Sequence, residues 1–115
     1  MTPRGTALAW TGAAVFGDCT AYERLSVPAA GAAGDARSAD ARCADLVRRT
    51  AAARADSSAY GIDLLAVVPD ARRARARLRL TSPGGRQDVQ LDLVRAGDGW
   101  AVVRSAATCR AVGCA

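Results

Sequence analysis

From position 60 onward the chain alternates between apolar and polar residues. Tyr60, Ile62, Leu64, Ala66 and Val68 are apolar at every second position until Pro69-Asp70, the period of a strand with one face buried. Ala74, Ala76, Leu78 and Leu80 then alternate with Arg73, Arg75, Arg77 and Arg79, and after Ser82-Pro83-Gly84-Gly85 the apolar Val89, Leu91 and Leu93 alternate with Asp88, Gln90 and Asp92. A turn at 82–85 sets the register. Leu78 then faces Val89, Ala76 faces Leu91 and Ala74 faces Leu93, while on the other side Arg79 faces Asp88, Arg77 faces Gln90 and Arg75 faces Asp92. One register satisfies both faces, and a slip of one residue would ruin both. Gly97-Asp98-Gly99 makes another tight turn. The predicted strands are 60–68, 73–81, 86–95 and 100–105, followed by a tail over 106–115.

The first half of the chain repeats at the helical period. Thr2-Pro3 reads as an N-cap followed by proline at the first helical position. Leu8, Ala9, Gly12, Ala13, Val15 and Phe16 form one apolar stripe, with Trp10 and Ala14 off it, so a helix over 3–16 presents two apolar faces to a sheet, another helix or a second copy. Gly17-Asp18 ends it. A helix over 19–26 follows, with Thr20-x-x-Glu23 as a capping box, and Pro28 to Gly34 is a loop of small residues. A third helix covers 36–54 and buries Ala39, Cys43, Leu46, Val47 and Thr50, leaving Arg42, Asp45 and Arg49 on its other side. No strand is read in 27–35.

At 115 residues the chain is a single domain, 1–115, with 50% hydrophobic and 4% aromatic positions. The absence of histidine removes Ser-His and Cys-His catalysis and His-ligated metal sites. All 16 basic residues are arginine and lysine is absent, the mark of a GC-rich genome. The net charge of +5 attracts anions in general. No arginine-rich block is interleaved with stacking aromatics, so no nucleic-acid partner is expected. No apolar run reaches the length of a membrane span.

Four cysteines, Cys19, Cys43, Cys109 and Cys114, leave three readings open: disulfides in an oxidising compartment, a thiolate metal site, or free thiols. The set lacks the C-x-x-C spacing of a zinc knuckle, and no metal is expected. Residues 1–19 resemble a weak export signal, with Arg4 ahead of Ala7–Gly17. They read better as a helix of the fold, which would place any signal upstream of Met1.

Three helices followed by a four-stranded antiparallel meander are an α+β arrangement, with helices packed on one face of a curved sheet. Trp10…Gly17-Asp18-Cys19 followed by Tyr22…Leu25-Ser26…Pro28 is similar to the opening of the nuclear-transport-factor-2-like superfamily, a cystatin-like α+β cone. The second cysteine in Ala41-Arg42-Cys43-Ala44-Asp45 resembles that of its small extracytoplasmic domains common in actinobacteria. The closing Leu91-Asp92-Leu93-Val94-Arg95…Asp98-Gly99-Trp100-Ala101-Val102 looks like the family's last hairpin, with Trp100 one residue closer to the glycine. The resemblance spans about 7–105. It implies a Cys19–Cys43 disulfide by antiparallel packing of helices two and three, and leaves Cys109 and Cys114 to close a small C-terminal loop.

The resemblance also implies a conical pocket between helices and sheet. A ketosteroid-isomerase-like enzyme would need a carboxylate base, Asp18 or Asp63, and a phenol donor, Tyr22 or Tyr60. Asp18 reads equally as a helix cap, however, and Asp63 points away from the Tyr60/Ile62/Leu64 face. A pocket for a small apolar ligand would be lined by Trp10, Tyr22, Tyr60 and Trp100. The expected function is a non-enzymatic, extracytoplasmic structural or protein-interaction module without cofactor. It would meet a protein partner or a second copy through the first helix or the open sheet face, and a small apolar ligand is the alternative.

Overall fold

The computed structural model describes residues 1–29 and 37–113. In chain order its elements are α1 (Pro3–Phe16), α2 (Cys19–Arg24), β1 (Ser26–Pro28), α3 (Ala39–Arg49), α4 (Ala51–Ala55), β2 (Gly61–Pro69), β3 (Arg73–Ser82), β4 (Gly85–Ala96), β5 (Gly99–Arg104) and α5 (Ala106–Val112). The strands form one sheet in the order β1-β5-β4-β3-β2. β1 runs parallel to β5 and every other pairing is antiparallel.

The β3–β4 ladder has the expected register from Arg73↔Val94 to Ser82↔Gly85 without a bulge. Its inner face supplies Leu78, Leu91 and Leu93, which are fully buried, each stabilising the fold by roughly 2–3 kcal/mol. Its outer face carries the ion pairs Arg79–Asp88 at 2.8 Å and Arg75–Asp92 at 3.4 Å.

Five features differ from the sequence reading, each for a physical reason. The sheet has a fifth strand, because the second helix stops at Arg24 and Ser26–Pro28 joins the edge of β5, with Val102 N donating to Leu25 O at 2.8 Å. The Thr20-x-x-Glu23 capping box does not form, because Asp18, as its alternative reading as a helix cap expects, accepts from Ala21 N. The expected third helix breaks at Thr50, whose hydroxyl donates back to Leu46 O at 2.6 Å, a competing bond that bends helices. Ala53 beyond the break is buried, whereas Ala39 and Val47 are exposed. In β2 a bulge at Leu65 shifts the pairing, so Ile62, Leu64 and Val67 pack on the core while Ala66 and Val68 face out. The tail is a helix capped by Ser105, whose side chain accepts from Thr108 N, and ended by the left-handed Gly113.

α1 also turns differently from its most apolar stripe. It buries Thr6, Ala7, Trp10, Thr11, Ala13 and Ala14, whereas Leu8, Val15 and Phe16 are half-exposed. A helix seated closely on a sheet needs small residues around one large side chain, and total hydrophobicity does not choose that face. Trp10 stacks on Tyr22 with centroids 5.3 Å apart, filling the centre of the core.

Cys19 and Cys43, 24 positions apart in sequence, form a disulfide. Beside it Glu23 accepts from Arg42 Nε at 2.6 Å and lies 3.8 Å from the buried Arg104. The second expected disulfide involves Cys114, which lies outside the described residues. Opening Cys19–Cys43 by Cys43→Ala, with Cys19→Ala to avoid a stray thiol, is expected to lower unfolding free energy by about 3–4 kcal/mol, read from urea midpoints.

Candidate functional site

Small residues on both layers leave a cleft of about 640 Å³ where the C-terminal end of α1 faces the far end of the sheet. Ala14 and Val15 of α1 form one wall, with Arg49, Thr50 and Ala53 beside them. Tyr60, Gly61, Leu80 and Gln87 form the floor, and Ala111 to Gly113 close the side. Arg86 lies at its sheet edge. Arg49, Tyr60 and Arg86 are the ionisable groups among the described residues that line it.

Arg49 is held from two directions. Its Nε donates to Asp45 Oδ2 at 2.7 Å, and its Nη1 donates to Val112 O at 3.3 Å, the last turn of α5. A cation at a helix C-terminus satisfies orphan carbonyls and opposes the helix dipole. Gly113 is left-handed, and a β-carbon there would sit 3.1 Å from Arg49 Nη1, so glycine suits the position on both counts. Arg48 and Arg37 also face Asp45. The hydrogen bond from Arg49 holds the Asp45 carboxyl below its ordinary value, helped by the three guanidinium charges and opposed by burial.

The expected site residues do not converge on this cleft. Tyr60 lines it, with its ring edge-on to Phe16 at 6.4 Å. Trp10 and Tyr22 are stacked together in the core. Trp100 lies at the β4–β5 end under the Arg95 guanidinium, 5.0 Å from its centroid. Asp18 is an exposed helix cap, and Asp63 is exposed opposite Arg79. A carboxylate base and a phenol donor therefore do not share a cavity at these positions. Arg49 and α5 were not anticipated. Ser105 ahead of Ala106–Val112 and Gly113 behind it is an N-cap and C′ pattern that would have signalled the helix. No group of three or more potential metal ligands occurs among the described residues.

Asp45 should couple this end of the fold to pH. A carboxyl depressed in the folded state contributes stability that is present above its ordinary value of 3.8 and is lost as pH falls through the lower folded value. Asp45→Asn is expected to cost about 1 kcal/mol at pH 7. The gap to the parent should close on acidification to about pH 3 or below, measured by urea unfolding across that range.

No family model and no curated protein matches the sequence. Among solved structures, the fold is similar to a Campylobacter jejuni protein provisionally named an NTF2-like transpeptidase. The TM-score is 0.61 at 14% identity, over 91% of this chain and 100% of that one. A likeness at that identity concerns the backbone. With helices laid on a curved open sheet in this order, the chain has a nuclear-transport-factor-2-like fold.

Proposed function

We propose that the chain is a non-enzymatic module that works outside the cytoplasm by docking an acidic protein surface on the outer face of its sheet. The observation that carries this reading is the composition of that face. Arg73, Arg75 and Arg77 of β3 and Asp88, Gln90 and Asp92 of β4 are all exposed. Asp88 and Asp92 are engaged by Arg79 and Arg75. Arg77 faces Gln90 and Arg73 faces Val94, so neither has a carboxylate directly opposite it in the ladder. Val68, 68% exposed on the edge strand, adds an apolar contact beside them. Charge complementarity of this kind steers a partner and fixes its register.

Two further observations support the reading. The Cys19–Cys43 disulfide suits an oxidising compartment. The groups lining the cleft supply cations and a phenol in place of a base that is ionised at neutral pH. Among the described residues no helix is long and apolar enough to cross a membrane.

A photo-crosslinking residue at Gln90, in protein expressed in its native host, tests the docking face. The expected product is one acidic protein, lost in Arg73→Glu/Arg77→Glu. Crosslinking only to a second copy of the chain, or a product that survives the double charge reversal, would overturn the proposal. Intact mass after alkylation of the same protein is expected to show Cys19 and Cys43 oxidised, and free thiols there would remove the extracytoplasmic part.

The cleft favours a second reading. Val15, Leu80 and Val112 give it apolar walls, suited to a small apolar ligand that packs on Tyr60. An apolar fluorescent probe should then bind saturably and about tenfold more weakly to Val15→Arg. Equal binding by parent and variant would place the probe elsewhere.

A further inference from the structure

The β2–β3 and β4–β5 turns lie at the same end of the sheet and enclose a hollow of about 560 Å³, lined by Ala71, Arg72, Arg73, Val94, Arg95 and Gly97. We propose that this hollow binds a phosphate-type oxyanion through Arg72 and Arg95. The site is separate from the cleft, and the proposal does not depend on the docking reading above.

Cross-strand pairing is the first argument. Arg95 N donates to Arg72 O at 3.0 Å, which carries the β3–β4 ladder one step past Arg73↔Val94 and sets two arginines opposite each other. Directly opposed like charges destabilise a sheet. Elsewhere along this ladder the arginines of β3 face aspartate, glutamine or valine: Arg79 faces Asp88, Arg77 faces Gln90, Arg75 faces Asp92 and Arg73 faces Val94. At this end alone the ladder sets cation against cation.

The neighbouring carboxylates do not relieve the repulsion. Asp70 accepts from Ala71 N at 2.7 Å within its own turn. Neither it nor Asp98 forms an ion pair with Arg72, Arg73 or Arg95 among the described residues. A bound dianion would supply the missing countercharge, and planar guanidinium groups match tetrahedral oxyanions through paired N–H donors. Arg95 is already oriented by lying over the Trp100 ring, which lowers the ordering cost of binding. Trp100 is therefore a built-in reporter.

The test is titration of inorganic phosphate and pyrophosphate at constant ionic strength, with chloride as control. Tryptophan emission and the amide NMR shifts of residues 70–73 and 95–99 are the readouts. Saturable shifts confined to these turns are expected, weakened about tenfold in Arg95→Gln and unchanged in Arg77→Gln. Arg95→Gln is also expected to raise the thermal midpoint without phosphate, by removing the like-charge pair, and to abolish the rise that phosphate gives the parent. That readout shows directly that the variant folds.

Equal responses to chloride, or equal weakening in Arg77→Gln, would reduce the effect to screening of net charge and overturn the site. Vesicles of phosphatidic acid in phosphatidylcholine, against phosphatidylcholine alone, separate the sources. Binding of vesicles with Arg95 dependence assigns a lipid headgroup, binding of phosphate without vesicles assigns a free phosphate, and binding of neither overturns the proposal.

Discussion

The register of the β3–β4 hairpin is the constraint on which the rest of the molecule depends. Ser82↔Gly85 closes it and Leu78↔Val89 and Ala76↔Leu91 seat the core. The same register lines up Arg79 with Asp88 and Arg75 with Asp92 on the opposite face. A slip of one residue would drive Arg75, Arg77 and Arg79 into the helix layer, and burying an unpaired charge costs far more than any surface pair returns. The exposed pairs themselves are screened by solvent and add little, so they discriminate between registers more than they add stability. β2 and β5 pair onto the two sides of this hairpin, and β1 adds to β5.

The helix layer is seated on that sheet through the small buried residues of α1. Ala7, Ala13 and Ala14 let the helix approach, and Trp10 stacked on Tyr22 fills the space between. Thr6 Oγ1, Thr11 Oγ1 and Trp10 Nε1 are buried there without hydrogen-bond partners among the described residues, an unfavourable contribution that close packing must offset. The disulfide and the Glu23–Arg42 pair then fasten α2 to α3 on the same side. At the other end α1 stops at the left-handed Gly17, where Arg54 bonds both Thr50 Oγ1 and Phe16 O. The Trp10–Tyr22 stack fills the centre of the interior, and the cleft opens beyond it beside Ala14 and Ala53.

What the sequence makes legible follows from this division. Period-two alternation across 73–93 reports both faces of a hairpin at once, so the ladder and its ion pairs are readable residue by residue. The Leu64-Leu65 and Val67-Val68 doublets mark the bulge in β2, but strict alternation steps over them. The face of α1 is not readable from apolar content, because its buried side is chosen by size: alanine and threonine lie in while leucine and valine lie half out. The break at Thr50 and the helix after Ser105 depend on single side chains bonding the backbone, a local signal that averaged periodicity hides. Tyr60 of the cleft was legible as an aromatic at a strand start. Arg49 was not, because its position depends on α5, a helix the pattern reading treats as tail.

The distribution of carboxylates decides what kind of chemistry remains available. Asp18 caps a helix, Glu23 holds Arg42, Asp45 holds Arg49, Asp70 folds its own turn, and Asp88 and Asp92 hold the arginine ladder. Each is engaged in fixing a local geometry, and the Asp45 and Asp88 carboxyls are held below their ordinary values by the arginines bonded to them. A carboxylate stabilised in that way is a weaker base. Arginine is in excess by composition, and the surplus is displayed at the turn end and on the outer sheet face. A fold that commits these six carboxylates to structure and displays arginines on its surface is suited to holding anions and acidic surfaces rather than to abstracting protons.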